Sequence, residues 1–327
     1  MRFIDYVKNH NRSLVYPFLS NIGIKLTGYK MQEVYDSPQK QLDVAKAIDK
    51  EFGGDFIFPM GRGTLTVEAL GIKVRRPDYD FPSIVENPIK DLETLSKLKV
   101  PSPYEDYGMI HSLKSLELIS KNFNKPTVEF IRGPFTLAIE LSGADIFLRA
   151  IIKNPDFVQE LLKFTTQVVM DYAKAASKTG VKMIMFTEPS AVVLSPKKFD
   201  QLVAPNLIKI MQVIDNDVWK TLHICGDTTK FLDGMLKCKM DGLSLDQLVD
   251  LSAVAPKIPR DTVLFGNLDP VYVLKSDPPQ QVREKTLKML KDMKDYPNFI
   301  FSFGCDCLPD TPFKNLKAAI ESSKIKR

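Results

Sequence analysis

From about residue 125 to the carboxyl end of the chain, short apolar runs rich in β-branched and aromatic residues alternate with longer stretches of helical period. Such alternation builds a parallel sheet, because each strand is buried on both faces and each intervening helix covers the sheet with one apolar stripe. The runs at 127–131, 181–186, 219–224, 242–245, 263–265 and 299–303 are predicted strands, and 55–59 is an earlier one. Between the first two of the later strands, Asn154 is placed to cap a helix and Pro155 suits its first position. Val158, Leu161, Leu162, Val168 and Val169 then recur at helical spacing until Gly180 ends it. Ser195-Pro196 and Thr311-Pro312 repeat that start signal ahead of helices predicted over 199–214 and 313–323. No run of Gly, Ser or charge marks a linker within the 327 residues. The predicted fold is therefore α/β, a (β/α)8 TIM barrel formed by 1–327 as a single domain, with residues 1 to about 50 as helical N-terminal decoration. The stretch 81–103, dense in Pro and charge, is predicted to be a loop excursion over one face.

Lys plus Arg number 45 and Asp plus Glu 40, a net charge of +5 spread along the chain except for short clusters such as Lys197-Lys198 and Lys324-Ile325-Lys326-Arg327. That excess is too small and too scattered to mark a nucleic-acid surface. The four cysteines, at 225, 238, 305 and 307, are too few for a disulfide scaffold in a chain this long, so a reduced, cytoplasmic protein is expected. The first 30 residues hold no signal-peptide core, and no apolar run reaches the roughly 18 residues of a membrane span. No membrane partner is expected.

The chemistry concentrates in His223-Ile224-Cys225-Gly226-Asp227, directly after an apolar run. Successive strand residues alternate faces, so His223 and Cys225 point the same way at the carboxyl end of a strand, where barrel active sites are built. A second thiol follows another strand in Phe303-Gly304-Cys305-Asp306-Cys307. One imidazole and two thiols from two strand ends are the ligand set of a zinc site with an open fourth position. Read from the residues alone, Cys307 is either a ligand in place of Cys305 or a spare. Cys238, in Lys237-Cys238-Lys239, is expected to be a structural or surface thiol.

The chain resembles the uroporphyrinogen decarboxylase superfamily, and within it the branch of cobalamin-dependent methyltransferases. The resemblance is carried in order by DFIFPMGRGTLTVEALG (55–71), GPFTLAIELSG (133–143), EPSA (188–191), HICGDTT (223–229), DGLSLD (241–246), GNLDP (266–270) and GCDCLPDTP (304–312). It covers nearly the whole chain. GNLDP and GPFT point to the superfamily; HICG with GCD points to the zinc-containing methyltransferases. The resemblance implies a TIM barrel, His223, Cys225 and Cys305 as zinc ligands, and Cys307 as a packing residue. It also implies methyl transfer from a methylated corrinoid, held by a separate corrinoid protein, to a small-molecule acceptor. That acceptor is a thiol such as coenzyme M or a related compound such as tetrahydrofolate.

A decarboxylase acting on a porphyrinogen is the alternative within the superfamily. Its substrate's carboxylates call for an arginine-rich N-terminal motif, whereas Pro17-Phe18-Leu19-Ser20-Asn21-Ile22-Gly23 carries no Arg, and unpaired carboxylates are costly to desolvate. Arg62, Arg75 and Arg76 keep that alternative open. A non-catalytic partner of a corrinoid protein is the third reading. For the leading one, a zinc-bound thiol is held as the nucleophilic thiolate at neutral pH. Glu188, after the 181–186 run, is a candidate fourth ligand or a base for the thiol proton, against a plain capping role. Asn267 and Asp269 are expected to shape turns or support the ligands, and Asp227 to cap the next helix or orient His223.

Overall fold

The computed structural model describes residues 1–19 and 21–324; Ser20 and the last residues of the basic terminal cluster, 325–327, lie outside the described residues. Its strands are β1 (Val15–Tyr16), β2 (Val74–Arg75), β3 (Ser83–Ile84), β4 (Val128–Arg132), β5 (Met183–Thr187), β6 (Trp219–Ile224), β7 (Gly242–Leu245), β8 (Val263–Leu268) and β9 (Phe299–Phe303). Seven of them form one parallel sheet in the order β1-β9-β8-β7-β6-β5-β4.

The gap between β1 and β4 is closed by the segment predicted as the early strand. The Asp55 amide donates to the Val15 carbonyl at 3.0 Å, the Ile57 amide to the Pro126 carbonyl at 2.9 Å, and the Val128 amide to the Ile57 carbonyl at 2.9 Å. Asp55 also accepts the Val15 amide at 2.7 Å and pairs with Arg12, which locks this stave to β1. Eight parallel staves thus close into the (β/α)8 barrel.

Alternation along each strand sorts side chains between two cores. Val128, Met183, Met185, Val263, Phe265 and Ile300 fill the barrel interior with Tyr16, Phe56 and Phe58. Their neighbours Ile131, Ile184, Phe186, Leu264 and Phe301 face the helical shell. Phe265 has no exposed surface and meets the rings of Phe3 at 5.7 Å and Tyr16 at 4.9 Å, so truncating it to Ala would cost about 3–5 kcal/mol.

The N-terminal segment is helical as expected, at Phe3–Lys8, Gly23–Thr27, Met31–Tyr35 and Pro38–Glu51, but it does more than decorate. Val15–Tyr16 supplies the first stave. Helix Phe3–Lys8 plugs the floor of the barrel, where Phe3 stacks on Trp219 at 4.4 Å and the Trp219 Nε1 donates to the Met1 carbonyl at 3.1 Å. Helix Pro155–Ser177 begins with Asn154 accepting the Phe157 amide, and all five of its predicted core residues are buried. The helix expected over 199–214 is two, Pro196–Leu202 and Ala204–Met211, broken at Val203 just before Pro205, whose ring cannot follow an uninterrupted turn. The excursion at 81–103 is not wholly loop: β2 and β3 pair antiparallel across its start, and Leu92–Ser96 is a short helix capped by Asp91.

Candidate metal centre

The carboxyl ends of β6 and β9 bring the predicted ligands together. On β6 the interior face carries Thr221 and His223, and the same alternation turns Cys225 inward just past the strand end. Cys305 arrives from β9 through Gly304, whose bare α-carbon lies against the loop after β7. A Cβ there would sit 2.5 Å from the Gln247 backbone nitrogen, so only glycine lets the two loops approach.

His223 Nε2 is 3.3 Å from Cys225 Sγ, and Cys225 Sγ is 3.5 Å from Cys305 Sγ. All three donor atoms lie within 4.8 Å of one another. Ligands of a tetrahedral zinc, at about 2.0–2.3 Å from the metal, stand roughly 3.4–3.8 Å apart, so this donor set fits such an ion with little movement. His223 is buried, the two thiols half-buried, so a fourth position faces the pocket. Between the thiols a hydrogen bond from Cys305 lowers the Cys225 pKa and raises that of Cys305, so Cys225 is the thiol of the pair that ionises first. The Arg132 guanidinium favours the Cys225 thiolate further.

The second ring nitrogen of the histidine is engaged as well. Nδ1 lies 3.0 Å from Ser244 Oγ on β7, and the strand register pairs His223 with Ser244. This contact holds the imidazole with Nε2 toward the thiols.

The other predicted residues fall around this centre rather than in it. Glu188 is buried just beyond β5, and its carboxylate accepts the Phe135 amide at 3.0 Å and the Thr136 amide at 2.8 Å. It therefore caps helix Pro134–Ser142, the helix opened by GPFT, and is not among the clustered donor atoms. Burial pushes its pKa up to about 7 against those bonds. Asp227 is exposed and accepts the Thr229 amide at 2.9 Å, while the role of orienting His223 belongs to Ser244. Asn267 donates at 2.8 Å to the carbonyls of Asp246 and Val249, fixing the loop after β7, and Asp269 accepts the Val271 and Tyr272 amides in a turn. Cys307 is buried in the outer core, and Cys238 is buried with its thiol on the Gly234 carbonyl.

A pocket of about 200 Å³ opens over the three donors. Phe18, Phe81 and Phe130 give it aromatic walls; Arg62, Arg132, Thr187 and Asp306 supply polar groups. The sequence reading missed Ser244, although it lies inside DGLSLD, and Arg132, although it directly precedes GPFT. No helix is long and apolar enough to cross a membrane among the described residues.

Comparison with known proteins agrees with this architecture. The methylcobamide:CoM methyltransferase MtbA of Methanosarcina acetivorans is 28% identical over 308 residues, covering 92% of this chain and 88% of that protein. A uroporphyrinogen decarboxylase of Geobacter sulfurreducens is 25% identical over 263 residues, covering 78% and 75%. The solved structure of a methyltransferase from Methanosarcina mazei shares the fold with a TM-score of 0.87 over 98% of this chain and 97% of that one, at 23% identity. The sequence model of the uroporphyrinogen decarboxylase (URO-D) family matches residues 10–324, and the chain belongs to that family.

Proposed function

We propose that this protein is a zinc-dependent methyltransferase that moves a methyl group from a methylated corrinoid, presented by a separate corrinoid protein, to a small-molecule thiol. The observation that carries the reading is the cluster of His223, Cys225 and Cys305 at the barrel mouth beneath an aromatic pocket. Its relatives among methylcobamide:CoM methyltransferases support it.

In this reading zinc, when bound, holds the acceptor as a thiolate at neutral pH. His223, Cys225 and Cys305 would hold that zinc, and the two cysteine thiolates would balance its charge, which would leave electron density on the acceptor sulfur. The sulfur takes the methyl group in line: the sulfur–carbon bond forms as the cobalt–carbon bond breaks, and that electron pair stays with the corrinoid. The thiol proton leaves to solvent. His223 and the two cysteines position the sulfur, Ser244 steadies His223, and Phe18, Phe81 and Phe130 keep water from the attacking atom. Glu188 acts by holding the Pro134–Ser142 helix end against the wall of the site. A reducing, cytoplasmic compartment suits two ligand thiols.

A decarboxylase of the same family is the rival enzyme. Arg62 and Arg132, the arginines that line the pocket, already face Glu68 and Glu140, which leaves little cation to pair with many carboxylates. The test is to incubate zinc-loaded protein with methylcobalamin and a simple thiol or tetrahydrofolate and follow loss of the methyl-cobalt absorbance. Acceleration over the uncatalysed reaction, lost in Cys225→Ser, is expected. Failure with every acceptor, or conversion of a porphyrinogen by metal-free protein, overturns the reading.

A further inference from the structure

Of the four cysteines, Cys225 and Cys305 are half-buried, whereas Cys238 and Cys307 are shut away at 0% and 1% exposure. The half-buried pair lines the open pocket of about 200 Å³, and its two sulfurs stand 3.5 Å apart, in van der Waals contact. A disulfide needs about 2.05 Å between sulfurs, so ~1.5 Å of combined side-chain movement closes the bond.

The fold, not sequence neighbourhood, makes this pair. Cys225 follows β6 and Cys305 follows β9, with β7 and β8 between those strands in the sheet, and 80 residues separate them along the chain. Gly304 seats the Cys305 loop against Gln247, and the Cys307 amide donates to the Phe18 carbonyl at 3.2 Å. Protein contacts alone therefore hold Cys305 opposite Cys225. The two thiols meet where a small solute enters, while the other two are out of its reach.

We propose that Cys225 and Cys305 form a redox switch on the metal centre: in the metal-free protein hydrogen peroxide oxidises them to a disulfide, which removes two of the three metal-binding groups together, and a dithiol restores them. This rests on the reading of the cluster as a metal centre and holds whichever methyl acceptor is used. One sulfur attacks a peroxide oxygen, the oxygen–oxygen bond breaks, and a sulfenic acid and one water result. The second sulfur displaces the sulfenic oxygen, which leaves as another water with the last thiol proton. Two thiols and one peroxide thus give one disulfide and two waters, the sulfurs losing two electrons and the peroxide gaining them. Because the partner sulfur is already in contact, it traps the sulfenic acid before a second peroxide reaches it. A metal held by both sulfurs ties up the electron pairs that attack, so a loaded centre is protected. Once the disulfide has closed, His223 is left as the one remaining donor of the cluster, too few to keep a zinc ion.

The test treats the full chain, reduced and either stripped of metal or loaded with zinc, with hydrogen peroxide. Free thiols are then counted in denaturant, disulfides are mapped by peptide mass, and zinc uptake is measured by chelator competition. The stripped wild type is expected to lose two of its four thiols, to yield one peptide pair joining Cys225 to Cys305, and to take up no zinc until dithiothreitol is added. Zinc-loaded protein should lose thiols at least about tenfold more slowly. Cys225→Ser should give no disulfide and leave a sulfenic acid on Cys305 that dimedone labels, whereas Cys307→Ala should behave as wild type. Mapping of the wild type identifies the pair even if a variant misfolds. A disulfide through Cys238 or Cys307, sulfinic acid in place of a disulfide, undiminished zinc uptake by the oxidised protein, or equal oxidation rates with and without zinc overturns the proposal while leaving the metal centre in place. If the reduced protein takes up no zinc, the metal reading falls and the switch with it.

Discussion

His223 Nδ1 sits 3.0 Å from Ser244 Oγ, its register partner on the neighbouring strand. The two residues join the candidate metal ligand on β6 to the rigid backbone of β7, so the imidazole cannot rotate without breaking a buried contact. Support of this kind to a ligand histidine is worth about 10- to 100-fold in metal affinity. Ser244→Ala is expected to weaken zinc binding by that factor in a chelator competition, with the thermal unfolding midpoint little changed. An unchanged affinity would show that packing alone orients the ring.

The two thiols of the Cys305-Asp306-Cys307 segment have opposite environments: Cys305 is half-buried at the donor cluster, whereas Cys307 is 1% exposed in the outer core. Cys305→Ser is expected to lose metal. Cys307→Ala should keep one zinc per chain and lose about 1 kcal/mol of stability for the cavity it leaves. Metal analysis with denaturant unfolding checks both, and the reverse result would move the ligand to Cys307.

How much of this was legible follows from where the signal lies. The βα alternation and the inward pairing of His223 with Cys225 are properties of short windows, so the barrel and the shared face of these two side chains could be read directly. Val15–Tyr16 is only two residues long between helices, too short for period to register. The support from Ser244 depends on how β6 aligns with β7, and the presence of Arg132 in the pocket depends on how β4, β5 and β6 align. Register between strands far apart in sequence is fixed by the closed barrel, so no window contains it. At a strand end, Glu188 is open in sequence to either a role in the site or plain capping. Its carboxylate takes the free amides at the start of a neighbouring helix that is distant in sequence, where a helix end attracts an anion.

Gly133 makes that cap possible, because a Cβ on it would lie 2.2 Å from Glu188 Oε1. Its backbone, at φ −73°, suits any residue, so the constraint is purely steric. Gly133→Ala is expected to destabilise the protein by about 1–3 kcal/mol in urea unfolding, the usual range for overpacking. Adding Glu188→Ala should recover part of the loss. Additive losses in the double variant would contradict the contact.

Glu129 gives a pH dependence unconnected with the metal. It is buried on the outer face of β4 and accepts the Tyr172 hydroxyl at 2.7 Å, yet burial raises its pKa from the ordinary 4.5 to about 7. Between those values the folded chain keeps a proton that the unfolded chain has lost, so this group's contribution is fully present below 4.5 and falls as pH rises to about 7. Glu188 is shifted in the same direction, but Glu129 is not among the groups that shift it, so the difference between wild type and a Glu129 variant isolates Glu129. Relative to wild type, Glu129→Gln is expected to gain about 2–3 kcal/mol in unfolding free energy between acid and neutral pH. Parallel pH curves for the two proteins would contradict the shift.

The central claim is that His223, Cys225 and Cys305 hold a zinc whose open position takes the acceptor as a thiolate. Its most direct test is isothermal titration of a simple thiol into zinc-loaded protein at neutral pH, in buffers of different ionisation enthalpy, which counts protons released on binding. The account predicts release of about one proton per thiol bound, abolished when the metal is stripped from a still-folded chain and restored when zinc is returned. Thiol binding without proton release, or the same release from metal-free protein, would contradict it.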